Sequence, residues 1–96
     1  MEIQTIKVRG KNNKHRVLMY ALSTCVWCKR AKRFLKGNHI AYEYVDVDRC
    51  IIEDLRKVKR NILNRGGSLT FPIIIIDDKV LMTNPKEEEL MKVLDI

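Results

Sequence analysis

Short apolar runs alternate with longer amphipathic segments along this chain, and that alternation limits the possible folds more than any other feature. The run Arg16–Leu22 is almost continuously apolar, and Ile73–Ile76 consists of isoleucine alone. Both runs are typical of strands buried inside a sheet. Between them lie segments in which apolar residues recur at helical spacing among lysines and arginines. The alternation predicts an α/β protein with helices on both faces of a mixed sheet.

The predicted order of elements is ββαβαββα in a chain of 96 residues, which is enough for a single domain over residues 1–96. The strands are predicted at 3–8, 16–22, 41–47, 73–76 and 80–82, and the helices near 25–37, near 50–63 and after 84. The central strand–helix–strand portion requires a parallel pair with a right-handed crossover. Because Gly10–Lys14 has the composition of a turn, we expect the first two strands to form a hairpin whose outer strand lies at the sheet edge.

Capping residues predict where the helices begin and end. Ser23 or Thr24 is expected to cap the first helix by accepting a backbone N–H, and Gly37-Asn38 is expected to close it. Asn84 is expected to cap the last helix, with Pro85 in its first turn. The buried side of the second helix is predicted to consist of Ile51, Ile52, Leu55, Val58 and Ile62.

Composition excludes several classes of protein. With 46% hydrophobic and 32% charged residues, the chain has the balance of a soluble globular domain, and it lacks an apolar run of the roughly 20 residues that cross a bilayer. Met1–Thr5 has neither the basic start nor the apolar stretch of a secretory signal, so we expect a cytoplasmic protein without a membrane partner. Three cysteines, an odd number, argue against a disulfide-stapled secreted scaffold.

The motif that carries chemistry is Cys25-Val26-Trp27-Cys28, which follows the second predicted strand and opens the first predicted helix. Its spacing places both sulfur atoms on one side of a helix, within reach of a disulfide. At the helix start, free N–H groups and the helix dipole favour a negative sulfur on Cys25, and we expect Lys29 and Arg30 to lower its pKa further. Cys28 lies one turn inside and should be less exposed. The pair predicts thiol–disulfide exchange.

The same motif has other interpretations, because Cys-x-x-Cys is also half of a zinc site and can be a pair of inert core cysteines. Zinc would need further ligands, and Cys50, His15 and His39 form no second closely spaced pair. We therefore expect no metal site. Cys50 is expected to be a half-buried cysteine at a helix start, where Arg49 could also lower its pKa, and both histidines are expected to be solvated.

A second signature, Thr70-Phe71-Pro72, stands directly before the isoleucine strand. A strand, a Cys-x-x-Cys motif continued by Lys29-Arg30-Ala31-Lys32, the segment Tyr44–Asp48 and then this Thr-x-Pro sequence resemble the glutaredoxin family of the thioredoxin superfamily. The resemblance covers about residues 16–96 and is carried by 17–35, 44–48 and 70–77. It implies the thioredoxin/glutaredoxin fold, with a central mixed four-stranded sheet flanked by three helices, to which the N-terminal strand is an addition.

The resemblance also implies the residues of the site. Phe71–Pro72 should be a cis peptide that places the Phe71 backbone beside the Cys25 sulfur, where a substrate could pair with it as an added strand. Trp27 is expected to flank the dithiol, to extend the apolar stripe of the first helix, or to do both. The substrate-binding residues implied are Thr24, Trp27, Thr70, Phe71 and Pro72.

Some positions depart from the family pattern. Val26 and Trp27 replace the common proline and tyrosine between the cysteines, and Leu22 stands where many members have a lysine that contacts glutathione. Met82 and Thr83 fall where the family has a Gly-Gly pair. Glutathione dependence is therefore not predicted, and glutathione, another small thiol or a reductase all fit as the reductant.

The function predicted from these observations is a thiol–disulfide oxidoreductase that reduces protein disulfides, with Cys25 as nucleophile and Cys28 as resolving thiol. It would be a monomer without a cofactor beyond its own Cys25–Cys28 disulfide. One alternative is an iron–sulfur or metal-carrying member of the family. Another is a basic nucleic-acid-binding module, suggested by the net charge of +7, although aromatic residues are not interleaved on a basic strand. We do not expect nucleic acid to be a partner.

Overall fold

A computed structural model describes residues 3–96 of the chain. Its strands are β1 (Ile6–Val8), β2 (Val17–Ala21), β3 (Tyr42–Asp46), β4 (Ile73–Ile76) and β5 (Val80–Thr83). Its helices are α1 (Val26–Gly37), α2 (Ile52–Asn64) and α3 (Glu87–Leu94). The order of elements is the predicted ββαβαββα, and most boundaries lie within one or two residues of the predicted ones.

The five strands form one mixed sheet in the order β1-β3-β2-β4-β5. The central strands β2 and β3 are parallel, as the intervening helix α1 requires, and the other neighbouring strands pair antiparallel. Strands β2 to β5 with the three helices are the four-stranded α/β core of the predicted thioredoxin/glutaredoxin fold. The N-terminal strand β1 adds a fifth member at the edge, as predicted.

The predicted hairpin between the first two strands is wrong, because β1 pairs with β3 and not with β2. The connection between them, residues 9–16, passes the start of β3 instead of turning back on itself. Its Asn12 forms a parallel bridge with Ile40: the Asn12 N–H donates to the His39 carbonyl at 2.9 Å, and the Ala41 N–H donates to the Asn12 carbonyl at 2.9 Å. Eight residues are enough to cross one strand, so β1 reaches the open edge of β3.

The core is divided by the sheet into two clusters, one on each face. On one face, side chains of β2 and β4 pack against α1 and α3, with Cys28, Leu35 and Leu90 among the buried residues. On the other face, alternate residues of the same strands pack against Val58 and Ile62 of α2. This division confirms helices on both faces and follows from the alternation of side chains along a strand.

The helix starts differ from those predicted. Cys25 itself is the N-cap of α1, because the Ser23 backbone N–H and hydroxyl both bond the Asp48 carboxylate, and Thr24 is exposed. The last helix begins after Lys86, whose N–H donates to Glu89 at 3.2 Å, so Asn84 lies outside it. Two residues assigned to the buried side of α2 are on the surface instead: Ile51 and Ile52 are 63% and 58% exposed.

Within residues 3–96, no helix is long and apolar enough to span a membrane.

Candidate active site

The site forms where β2 and β3 end, at one edge of the sheet. Because these strands are parallel, the loops that lead into α1 and α2 leave the sheet side by side. Asp48, in the second loop, accepts hydrogen bonds from the backbone N–H (2.9 Å) and the hydroxyl of Ser23 in the first. These bonds hold the pKa of Asp48 below its usual range and tie the two loops together.

Cys25 is fixed by backbone hydrogen bonds on both sides. Its N–H donates to the Leu22 carbonyl at 3.1 Å, and its own carbonyl accepts the Lys29 N–H at 3.1 Å. The Cys25 sulfur accepts the Cys28 N–H at 3.1 Å and so takes the place of the oxygen that usually caps a helix. An N–H donor aimed at sulfur at the positive end of a helix stabilises the thiolate form.

Cys28 lies in the opposite environment, one turn inside α1. It is fully buried, at 0% exposure, whereas Cys25 is half-buried. Burial raises the pKa of the Cys28 thiol to about 12, and its hydrogen bond with Cys25 acts in the same direction. The two sulfur groups are therefore in contact and differ in exposure as the sequence predicted.

The two cations predicted to lower the pKa of Cys25, Lys29 and Arg30, are both exposed. Arg30 also has other partners. The Arg30 guanidinium lies 5.7 Å from the centre of the Trp27 ring and 3.5 Å from the Glu87 carboxylate. The cation that acts on Cys28 is Lys32, which opposes the rise of its pKa. The action of Lys32 on Cys28 was not predicted from the sequence, although Lys32 stands one helical turn after Cys28 and therefore on the same face.

Lys32 is held in place from the neighbouring strand β3. Its ammonium donates to the Asp46 carboxylate at 3.1 Å and lies 3.9 Å from the centre of the Tyr44 ring. The side chains of Lys32 and Asp46 are mostly covered, at 22% and 17% exposure, so solvent screens this pair less than an exposed one. The dithiol therefore has a positioned positive charge on the sheet side of α1.

The peptide bond between Phe71 and Pro72 is cis, which confirms the prediction. Pro72 is buried, and its carbonyl accepts the Asn84 N–H at 2.7 Å, so the segment is anchored to the end of β5. Phe71 packs against both core clusters, one of which also contacts Cys25. Thr70 is exposed, and its hydroxyl oxygen accepts from Ser68 at 3.2 Å.

A cleft of about 450 Å³ lies beside the start of α1 and brings together three of the predicted residues: Trp27, Arg30 and Pro72. Its other wall is the start of α3 and the residues before it, including Asn84 and Glu87. Trp27 is 55% exposed, so its ring flanks this cleft instead of extending the core. Thr24, Thr70 and Phe71 do not line the cleft, although Phe71 lines a smaller cavity described below.

Cys50 lies at the same sheet edge but not in the dithiol site. Its thiol donates to the Val47 carbonyl at 3.2 Å. Burial and the carboxylates of Asp54 and Asp48 raise its pKa. The prediction that Arg49 and the start of α2 could lower the pKa of Cys50 is therefore wrong. Among residues 3–96, no three side chains of the His, Cys, Asp or Glu type come together as a metal-binding group.

Comparison with known proteins agrees with this geometry. Residues 17–81 match the family model for glutaredoxin. Glutaredoxin 1 of Rickettsia conorii is 32% identical over 87 residues, which are 84% of this chain and 82% of the relative.

Solved structures give the same result. The glutaredoxin of Methanosarcina mazei superposes with a TM-score of 0.87 at 32% identity, over 99% of this chain and 91% of that one. Methanoredoxin of Methanosarcina acetivorans gives a TM-score of 0.79 at 32% identity, over 84% and 85% of the two chains. A family model, a curated relative and experimental structures thus coincide on one family, and the chain belongs to the glutaredoxins of the thioredoxin superfamily.

Proposed function

We propose that this protein reduces disulfides by a dithiol mechanism in which Cys25 attacks and Cys28 resolves. Membership of the glutaredoxin family supports thiol–disulfide oxidoreductase chemistry on thiol or disulfide substrates. The observation that carries the finer proposal is the contact between the cysteines: the Cys25 sulfur accepts the Cys28 N–H, while the Cys28 thiol is buried against it.

In the first step, the Cys25 thiolate attacks one sulfur of the substrate disulfide. A bond forms between Cys25 and that sulfur, the substrate S–S bond breaks, and the other substrate sulfur leaves as a thiolate that takes a proton from water. In the second step, Cys28 loses its proton to water and attacks the Cys25 sulfur. The bond between Cys25 and the substrate sulfur breaks, the second substrate thiolate leaves and takes a proton from water, and Cys25 and Cys28 are joined in a disulfide. The protein loses two electrons and the substrate gains them.

The order of the steps follows from the environment of Cys28. Before attack, its hydrogen bond with Cys25 and the charge of Cys25 add to the effect of burial in raising its pKa. Once Cys25 is part of a mixed disulfide, it no longer carries charge, so both of these contributions disappear while that of Lys32 remains. The pKa of the resolving thiol is thus higher before the mixed disulfide has formed than after it, although burial keeps it raised in both states.

The Cys25–Cys28 disulfide must be reduced again before the next cycle. A reductase that delivers two electrons, or two molecules of glutathione or of another small thiol, would return both cysteines to thiols. We propose protein disulfides as the substrates, because Trp27 and the cleft beside it offer a surface wider than the dithiol itself.

Trapping of the mixed disulfide tests the mechanism. Cys28→Ser should attack a disulfide-bonded protein such as insulin and accumulate a covalent adduct at Cys25, because the thiol that releases it is gone. Cys25→Ser should form no adduct and should reduce insulin at less than about one thousandth of the wild-type rate. Cys50→Ser is the matched control and should behave like wild type. Normal turnover by both Cys25→Ser and Cys28→Ser would refute the mechanism.

A further inference from the structure

A second cavity adjoins the dithiol on the face of the sheet that carries α2. It encloses about 200 Å³ between the end of β2, the middle of α2 and the segment before β4. No polar atom of its walls is exposed to the space. Its floor consists of Val47 and Val58, which are buried, and the side chains at its mouth are Leu22, Leu55, Leu69 and Phe71.

The mouth of this cavity is open to solvent and apolar. Leu69 is 44% exposed, and Leu22, Leu55 and Phe71 are each partly exposed. Burial of such side chains against an apolar group of a substrate is favourable. Two charged residues, Asp48 and Lys59, also line the cavity. Asp48 already accepts two hydrogen bonds from Ser23.

Two walls of the cavity are continuous with the dithiol site. The Leu22 carbonyl accepts the Cys25 N–H, and a Leu22 backbone hydrogen bond also reaches Cys28. Phe71 joins Pro72 through the cis peptide and contacts the same core cluster as Cys25. A peptide whose cysteine is bonded to Cys25 would therefore pass these walls with its neighbouring residues.

We propose that this cavity binds an apolar side chain of a protein substrate, at the position next to the cysteine under attack. The inference rests on the proposed function, since it concerns how the substrate of that reaction is selected. A volume of about 200 Å³ holds one leucine- or phenylalanine-sized side chain. Although Lys59 and Asp48 are among the lining residues, no polar atom of the walls faces the space, so a charged group would lose its hydration there without a hydrogen bond to the walls. The cavity thus favours protein disulfides with an apolar neighbour over charged small thiols.

The test uses short peptides whose single cysteine is joined in a disulfide to the chromophore thionitrobenzoate. Attack by Cys25 on the peptide sulfur releases coloured thionitrobenzoate, which gives the rate. The peptides carry leucine, alanine or aspartate directly before or directly after the cysteine. We expect the leucine peptide to react about tenfold faster than the alanine peptide at one of the two positions, and the aspartate peptide to react most slowly.

The ratio of leucine to alanine rates within each variant is the diagnostic quantity. Leu69→Ser should bring it close to one, whereas Leu69→Met should keep it, because methionine preserves the apolar wall. Leu63→Ser is the matched control: Leu63 is 58% exposed on α2, outside the cavity, and its loss should leave the ratio unchanged. An undiminished ratio in Leu69→Ser, or a wild-type ratio near one at both positions, would overturn the inference. Failure of every peptide to release thionitrobenzoate would instead refute the proposed function.

Discussion

Two cysteines stand at the starts of neighbouring helices on the same sheet edge, and their surroundings are opposite. Cys25 is the N-cap of α1, and its sulfur accepts an N–H from inside the helix. Cys50 precedes the N-cap of α2 by one residue, and its thiol donates to the Val47 carbonyl. The first turn of α1 contains no acidic residue, whereas that of α2 contains Glu53 and Asp54. Closeness to a helix start in the sequence is therefore not enough to lower the pKa of a thiol, since that of Cys50 is raised.

What separates the two sites is the role of the sulfur in its hydrogen bond. A sulfur that accepts a hydrogen bond is stabilised as an anion, and a thiol that donates one is stabilised in its protonated form. Burial and, after it, the nearby carboxylates reinforce this difference at Cys50, where they raise the pKa. The sulfur at the N-cap accepts a hydrogen bond, and the sulfur one residue before the N-cap donates one.

The largest expected effect concerns Cys28, which extends the comparison into the helix interior. In Cys25→Ser, burial still holds the pKa of Cys28 above that of a free cysteine, because burial is the largest cause of its rise and the contributions of Cys25 alone are lost. Alkylation of Cys28 at about pH 8 should therefore be at least about tenfold slower than that of free cysteine, and should accelerate as the pH rises, because the thiolate is the reactive form. Labelling of Cys28 as fast as Cys50 would contradict its burial.

A smaller effect is expected at Cys50 when one of its carboxylates is neutralised. Asp54→Asn removes a negative charge that raises the pKa of Cys50, so iodoacetamide should label Cys50 about two- to threefold faster near neutral pH. Glu53→Gln is the matched control, because it removes a charge from the same helical turn without affecting Cys50. Equal acceleration by both substitutions would show that the general charge of the helix start matters, and not the position of Asp54.

The smallest expected effect concerns His15, at the end of the sheet opposite the dithiol. It tests whether a change of charge there alters the stability of the fold without altering disulfide reduction. His15 contacts Asp77 at 2.6 Å and Asp95 at 3.2 Å, and the hydrogen bond with Asp77 is the main cause of its raised pKa. A raised pKa stabilises the fold below the ordinary value of 6.5, and this contribution is lost as the pH rises through the folded-state pKa.

His15→Gln should therefore lower the free energy of unfolding at about pH 6, and the deficit should shrink as the pH rises through the His15 pKa. Urea unfolding at several pH values measures it. His39→Asn, at the exposed second histidine, should leave the stability nearly unchanged, because asparagine tolerates the φ of 59° at this position. Disulfide reduction by His15→Gln should match wild type, and a large loss of activity would show that the far end of the sheet is coupled to the dithiol.

Local patterns in the sequence predicted most of the fold. Hydrophobic periodicity placed all three helices and five strands, since each pattern depends on neighbours within a few residues. The pairing of β1 with β3 was not predictable in this way, because the turn-like composition of Gly10–Lys14 does not show that Asn12 bonds His39 and Ala41. Register between distant strands is a property of the assembled sheet.

The site follows the same division. The cysteines, Trp27 and the cis Phe71–Pro72 bond were identified from short motifs. The N-cap role of Cys25 was missed, because Ser23 is occupied by Asp48, which is 25 residues away in the sequence. The partners of His15 are 62 and 80 residues away, and its expected solvation was wrong for that reason.

The contrast between the two helix starts is tested most directly by one labelling experiment on the reduced wild-type protein. The protein is exposed briefly to iodoacetamide at about pH 7, digested, and each cysteine is quantified by fragment-ion mass spectrometry. We predict that Cys25 is labelled at least about tenfold faster than Cys50, because its sulfur accepts a hydrogen bond where that of Cys50 donates one. Labelling of Cys50 at the same rate as Cys25, or faster, would contradict the account.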